Sequence, residues 1–213
     1  HPELLDWLAA ELIDSGWSLK SLHRQILTSQ AYQQVSRPEF DPLLGHFPQR
    51  RLEVEAIYDA MVSLSGKVSR QPAGQPLDTS KSKDRALYIL TSARSPKGLG
   101  LEIRKMFPLF GFDPSGRPIH HRESAETAGQ ALWWLNNPLP RYYTDKLAER
   151  LLQEPDDHER VKLAFRLTLG RLPTDAQLES TLAYAEKLGL ESKEAWSRVC
   201  LGIFSSREFS HLF

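Results

Sequence analysis

One cysteine in 213 residues, no excess charge of either sign and no long apolar run are the first features of this chain. Cys200 has no partner for an internal disulfide, and neither a CxxC zinc pair nor a CxxCH haem-attachment site can be drawn from it. Its neighbours Trp196, Val199, Ile203 and Phe204 suit a small buried side chain better than a reactive one. Lys+Arg and Asp+Glu both number 27, so no net field favours a phosphate backbone or an anionic bilayer, and nucleic acid is set aside as a partner. No stretch approaches the ~18 apolar residues of a membrane-spanning helix, so no membrane insertion is expected. No GxSxG elbow, phosphate loop, HExxH pair or nucleotide fingerprint occurs, and no motif names a reaction.

What is there reads as a folded, mainly helical chain. Hydrophobic residues make up 40% and charged residues 25%, the ordinary globular range. The chain opens at His1-Pro2-Glu3-Leu4-Leu5, already inside a helical pattern and without Met, so it is read as a piece of a longer protein whose targeting signal lies elsewhere.

Residues 1–68 are expected to form an N-terminal helical part. Leu4, Leu5, Leu8, Leu12 and Ile13 follow helical spacing up to Gly16, and Ser18 caps a second helix carrying Leu19, Leu22, Ile26 and Leu27, which makes an αα-hairpin. A third helix is placed at Leu52 to Ser65, on Val54, Ile57, Met61 and Leu64. Residues 69–124 are read as an irregular segment: a polar, Pro- and Gly-rich loop to Asp84, a strand candidate at Arg85 to Ser92, and a pairing partner for it at Ile103 to Phe107. Residues 125–213 are read as a C-terminal helical bundle, with Pro138 ending one helix, Gly170 another, and Thr174-Asp175-Ala176-Gln177 opening a third as a capping box. The expected fold is a mainly α, bundle-like single structural domain with a long irregular central segment and at most a short two-stranded β element.

Several spaced stretches carry a family resemblance: HPELLDWLAAELIDSGWSLKSLHRQILTSQAYQQ, RRLEVEAIYDAMVSLSG, QALWWLNNP, LAERLL, AFRLTLGRLPTDAQL and AWSRVCLGIFSSREF. Together they resemble the planctomycete cytochrome-associated domain of unknown function 1553. The resemblance implies a domain at the C-terminal end of a multidomain, periplasmic or secreted protein. It further implies that the upstream domains of the same polypeptide are its partners and that any c-type haem belongs to one of them. It supplies no catalytic residues. Arg122, Gln130, Ala131, Leu132, Asn136 and Pro138 fit the family pattern. Ala125, Glu126 and Ala128 stand where that pattern has two threonines and a proline.

Four groups of residues invite a functional reading. Asp113, Arg117, His120, His121 and Arg122 combine a carboxylate, imidazoles and guanidinia, the chemistry of a general base or an anion clamp. Adjacent histidines on an extended chain point to opposite sides, so no metal site is read there, and backbone-bonded loop side chains account for the same pattern. Trp133, Trp134, Tyr142 and Tyr143 with Gln130, Asn136 and Asn137 concentrate rings and amides that suit a sugar or a protein partner; one Trp of the pair is expected inward and Trp134, Asn136, Tyr142 and Gln130 are the binding candidates. His23 reads as half-buried beside an apolar stripe, and Arg51 with Glu55 as an i,i+4 pair. The leading function is a non-catalytic accessory or docking module, with no cofactor in this chain and an apolar patch near the N-terminal helix or Trp133-Trp134 that the full protein covers. The competing reading is a hydrolase on polysaccharide or another anionic polymer, its site at 113–122.

Overall fold

The computed structural model describes residues 1–37, 42, 45–66, 68, 84–89, 99–113, 122 and 126–212. The chain divides into two compact units, His1–Arg50 with Leu212–Phe213, and Arg51–His211.

The first unit is built on the expected hairpin of α1 (Pro2–Asp14) and α2 (Leu19–Thr28). Pro2 occupies the first turn of α1, where its missing N–H costs nothing. Gly16 and Trp17 both take left-handed backbone (φ 68° and 63°), which reverses the chain within two residues. For a bulky residue such as Trp17 that conformation is strained. The Ser18 hydroxyl then accepts the Ser21 N–H and caps α2. The helices are tied by Gln25, whose Nε2 donates to Glu11 Oε1 at 2.6 Å. Yet neither helix contains a single buried residue. Beyond them, β1 (Ser36–Arg37) pairs in parallel with β2 (Phe47–Pro48), and the Phe47 ring lies 6.3 Å from that of Tyr32.

The second unit holds the core. Its helices are α3 (Val54–Leu64), α4 (Leu99–Leu109), α5 (Ala128–Asn136), α6 (Pro138–Leu151), α7 (Asp157–Leu169), α8 (Asp175–Leu188), α9 (Lys193–Phe204) and α10 (Arg207–Ser210). A short strand β3 (Arg50–Arg51) is hydrogen-bonded to β4 (His211–Leu212). α6 and α9 make the most extensive contact between described helices, and each carries small buried residues, Thr144 and Ala148 on one, Ser197 and Cys200 on the other. The two hydroxyls meet at 3.1 Å and Ser197 donates to Asp145, so the polar groups taken inside stay bonded. Leu139, Tyr143, Leu147 and Leu151 recur every fourth residue on α6 and are fully buried, as are Trp196, Cys200 and Phe204 on α9. Each large side chain buried this way contributes about 1.5–3 kcal/mol.

Boundaries follow local chemistry. Pro138 stops α5 and opens α6 while Asn137 Oδ1 caps the new helix by accepting the Leu139 N–H. Thr174 and Gln177 exchange the expected capping-box bonds, and Gly170 ends α7 at φ 70°. The strand candidate fares differently. Of the candidate Arg85 to Ser92, residues 90–92 lie outside the described residues; Ala86–Tyr88 is a single 3₁₀ turn, anchored where Asp59 accepts the Ala86 N–H at 2.6 Å and the Arg85 guanidinium at 2.8 Å, and Ile89 after it makes a β-bridge. Its proposed pairing partner, Ile103 to Phe107, lies within α4, where Ile103, Met106 and Phe107 form a buried helical face. Tertiary burial of that face outweighs the β-prone composition. The loop read at Ser69 to Asp84 lies outside the described residues except for Asp84 itself.

Candidate functional site

Of the polar segment at 113–122, Asp113 and Arg122 are described and Arg117, His120 and His121 are not. Arg122 forms ion pairs with Glu53 and, at 2.8 Å, with Glu55, and its guanidinium stands 5.0 Å above the Phe112 ring. Burial opposes the positive charge, but the two carboxylates more than offset it and hold the guanidinium above its ordinary range. Glu53 is the N-cap residue of α3 and Glu55 lies in its first turn, so Arg122 pairs with the start of that helix.

The aromatic cluster is an interior feature. Trp133 and Trp134 are both buried, which corrects the expectation of one inward and one outward ring. Adjacent helical positions are about 100° apart, and α5 is covered over a wider arc than one stripe. Phe110 meets both rings, at 5.3 and 6.0 Å, while Phe204 and Phe209 flank Trp134 at 6.4 and 5.8 Å.

Gln130 is buried too. Its Oε1 accepts from Arg51 Nη1 at 3.0 Å, its Nε2 donates to the Leu109 carbonyl at 2.9 Å, and it completes a capping box with Thr127. Asn136 is exposed and donates to the Leu132 carbonyl, Tyr142 is half-buried against Tyr143, and Asn137 donates to Glu102 at 2.6 Å. The four binding candidates are therefore not brought together on one surface. Arg51 precedes α3, so no helical i,i+4 geometry links it to Glu55; it also donates to the Phe110 carbonyl at 3.1 Å. His23 is exposed, a correction to the half-buried position expected of it.

A second constellation has no counterpart in the sequence reading. Glu126, Ser210 and His211 line a cavity of about 170 Å³ together with Arg51, Gln130 and Arg207. Glu126 Oε1 lies 2.6 Å from His211 Nε2, and His211 Nδ1 lies 3.0 Å from both Ser210 Oγ and the Arg207 carbonyl. The imidazole is 7% exposed. Arg207 adds a longer contact to Glu126 at 3.6 Å. The only sequence signal was a Ser-His pair near the chain end, 85 residues from its acid. Elsewhere, a cavity of about 360 Å³ lined by Phe165, Leu169, Tyr184, Val199 and Ile203 lies among α7, α8 and α9. Among the described residues no three His, Cys, Asp or Glu side chains converge as metal ligands, and no helix is long and apolar enough to cross a membrane.

A family model described as PSD1, a protein of unknown function (DUF1553), matches residues 1–185. The chain belongs to this family. The match runs from the α1–α2 hairpin into α8 and so includes the Arg122 ion pairs, Glu126 and the Trp133-Trp134 cluster, whereas Ser210 and His211 lie beyond it. No curated protein and no solved structure matches the chain.

Proposed function

We propose that this chain is an accessory docking module at the C-terminal end of a multidomain extracytoplasmic, cytochrome-associated protein, and that the α1–α2 hairpin is the docking element. One observation carries the reading: the hairpin presents Leu4, Leu5, Trp7, Ile13, Trp17, Leu19 and Leu27 to solvent, with Leu5 69% and Trp17 71% exposed. Large apolar side chains exposed in this number on one hairpin favour a contact, and each Å² covered contributes about 25 cal/mol before ordering costs. α1 carries Glu3, Asp6, Glu11 and Asp14 with no Lys or Arg, so the complementary face is apolar with a basic rim. In this reading the occupant is the upstream part of the same polypeptide, and any c-type haem sits there.

The test is calorimetric titration of the separately expressed upstream segment into this chain. Micromolar association, weakened at least tenfold by Leu5→Ser or Trp7→Ser, is the expected result. Absence of heat at high micromolar concentration from folded partners would remove the docking reading. The hydrolase reading at 113–122 has less support, because Arg122 is already neutralised by two carboxylates.

A further inference from the structure

We propose that the cavity among α7, α8 and α9 binds a small aliphatic carboxylate, a property of the second unit that goes beyond the docking reading and does not depend on it. At about 360 Å³ the cavity falls inside the ~300–1,000 Å³ range of small-molecule sites, whose walls are mainly apolar with a few placed polar groups. Its floor is Phe165 on α7 with Val199 and Ile203 one turn apart on α9, all three buried. α8 walls the other side without filling the space. Of its 14 residues only Ala185 is buried, and Thr181 and the half-exposed Tyr184 ring line the cavity.

Gly202 lines the same cavity from within α9. Its φ is not positive, so the backbone does not require glycine there, and glycine is disfavoured in a helix relative to alanine. A Cβ at this position would meet no atom within 4 Å. The missing side chain leaves the space open, and a long one would occupy it.

Charge at the rim selects the head group. Arg198, one turn before Gly202, lines the cavity and meets Glu194 at 2.6 Å in an i,i+4 pair whose side chains are 53% and 73% exposed. A surface pair of this kind is weak and exchanges readily for another carboxylate. Glu208 also lines the cavity, but its charge is committed. Arg171 holds both of its oxygens, at 2.5 and 2.7 Å, and keeps the carboxyl below its ordinary range. The rim therefore offers one exchangeable guanidinium above an apolar floor, the complement of an aliphatic tail that ends in a carboxylate. An amine head would meet Arg198 as a like charge.

The experiment titrates octanoate into the ¹⁵N-labelled whole chain and follows amide shifts by NMR, with octanol and octylamine as comparators. Expected is saturable movement of the Thr181, Tyr184, Val199 and Gly202 amides with a Kd on the order of 1 mM, in keeping with a ligand of this size. Octylamine should bind about tenfold more weakly. Arg198→Gln should weaken octanoate about tenfold and leave octanol unchanged. Gly202→Leu should abolish the octanoate shifts without lowering the thermal midpoint, and Gly202→Ala should raise that midpoint, since no packing or backbone need holds glycine there. Circular dichroism establishes that each variant is folded. The proposal is overturned if about 10 mM octanoate, enough to fill roughly nine-tenths of a 1 mM site, leaves these amides unmoved in folded protein. It is overturned equally if the shifts fall on the α1–α2 hairpin instead, if octylamine binds as well as octanoate, if Arg198→Gln or folded Gly202→Leu binds octanoate like the parent, or if Gly202→Ala lowers the midpoint. None of these outcomes bears on the association with the upstream segment, so the two readings fail separately.

Discussion

Replacing Trp134 by Ala distinguishes an interior ring from a ligand-binding one. Trp134 is 6% exposed and its indole meets Phe110, Trp133, Phe204 and Phe209 edge-on, at centroid distances from 5.1 to 6.4 Å. Truncating a buried Trp to Ala costs about 3–5 kcal/mol through lost transfer energy and the cavity left behind. The upper part of that range applies here, because each edge-to-face pair adds roughly 0.5–1.5 kcal/mol beyond area burial and the stacked Phe204–Phe209 rings leave little freedom to collapse inward. With a urea slope of about 2 kcal/mol per M, the unfolding midpoint followed at 222 nm should fall by roughly 1.5–2.5 M. Leu132→Ser on the exposed face of α5 serves as the control and should stay within about 0.5 kcal/mol of the parent. A Trp134→Ala midpoint within 0.5 M of the parent, on the order of 1 kcal/mol by the same slope, would refute the interior assignment.

Two further outcomes follow from buried titratable groups. Burial pushes the Tyr58 phenol up to about 12 from its ordinary value of 10.0, only partly offset by its bond to Tyr143. The unfolded chain loses this proton first, so the stabilisation is complete below pH 10 and is lost as pH rises towards 12; Tyr58→Phe should flatten alkaline unfolding across that window. Cys200 is fully buried and burial drives its thiol far above the ordinary range, so a disulfide-exchange reagent at pH 8 should leave it unmodified in native protein and titrate one thiol after denaturant is added. Rapid native labelling would contradict the placement of Cys200 inside the α6–α9 contact.

Local chemistry made much of the helical layout legible. Ser18, Pro138, Gly170 and the Thr174–Gln177 box act within one turn, and each sits at the helix boundary expected of it. The hairpin at the start was equally readable, since alternating stripes and a Gly16 turn need no distant partner. The failures share a different cause. Arg85 to Ser92 has β-prone residues, but Asp59, 27 residues before Ala86 in the chain, organises Ala86–Tyr88 as a 3₁₀ turn, and Ile103 to Phe107 joins the core as a helix. Trp133 and Trp134 are neighbours in sequence, and only the arrival of Phe110, Phe204 and Phe209 buries both. Arg122 is a site candidate in the sequence, and its ion pairs with Glu53 and Glu55, 69 and 67 residues away, are visible only in the fold. Ser210 and His211 stand out in sequence only as a Ser-His pair, and folding alone sets Glu126 against the imidazole. Sequence by itself determined most of the helices, the caps named above and the family, because those depend on neighbours a few residues apart. Tertiary structure alone decided which polar groups are neutralised and which converge, because charge pairing and burial depend on distances in space that spacing along the chain does not encode.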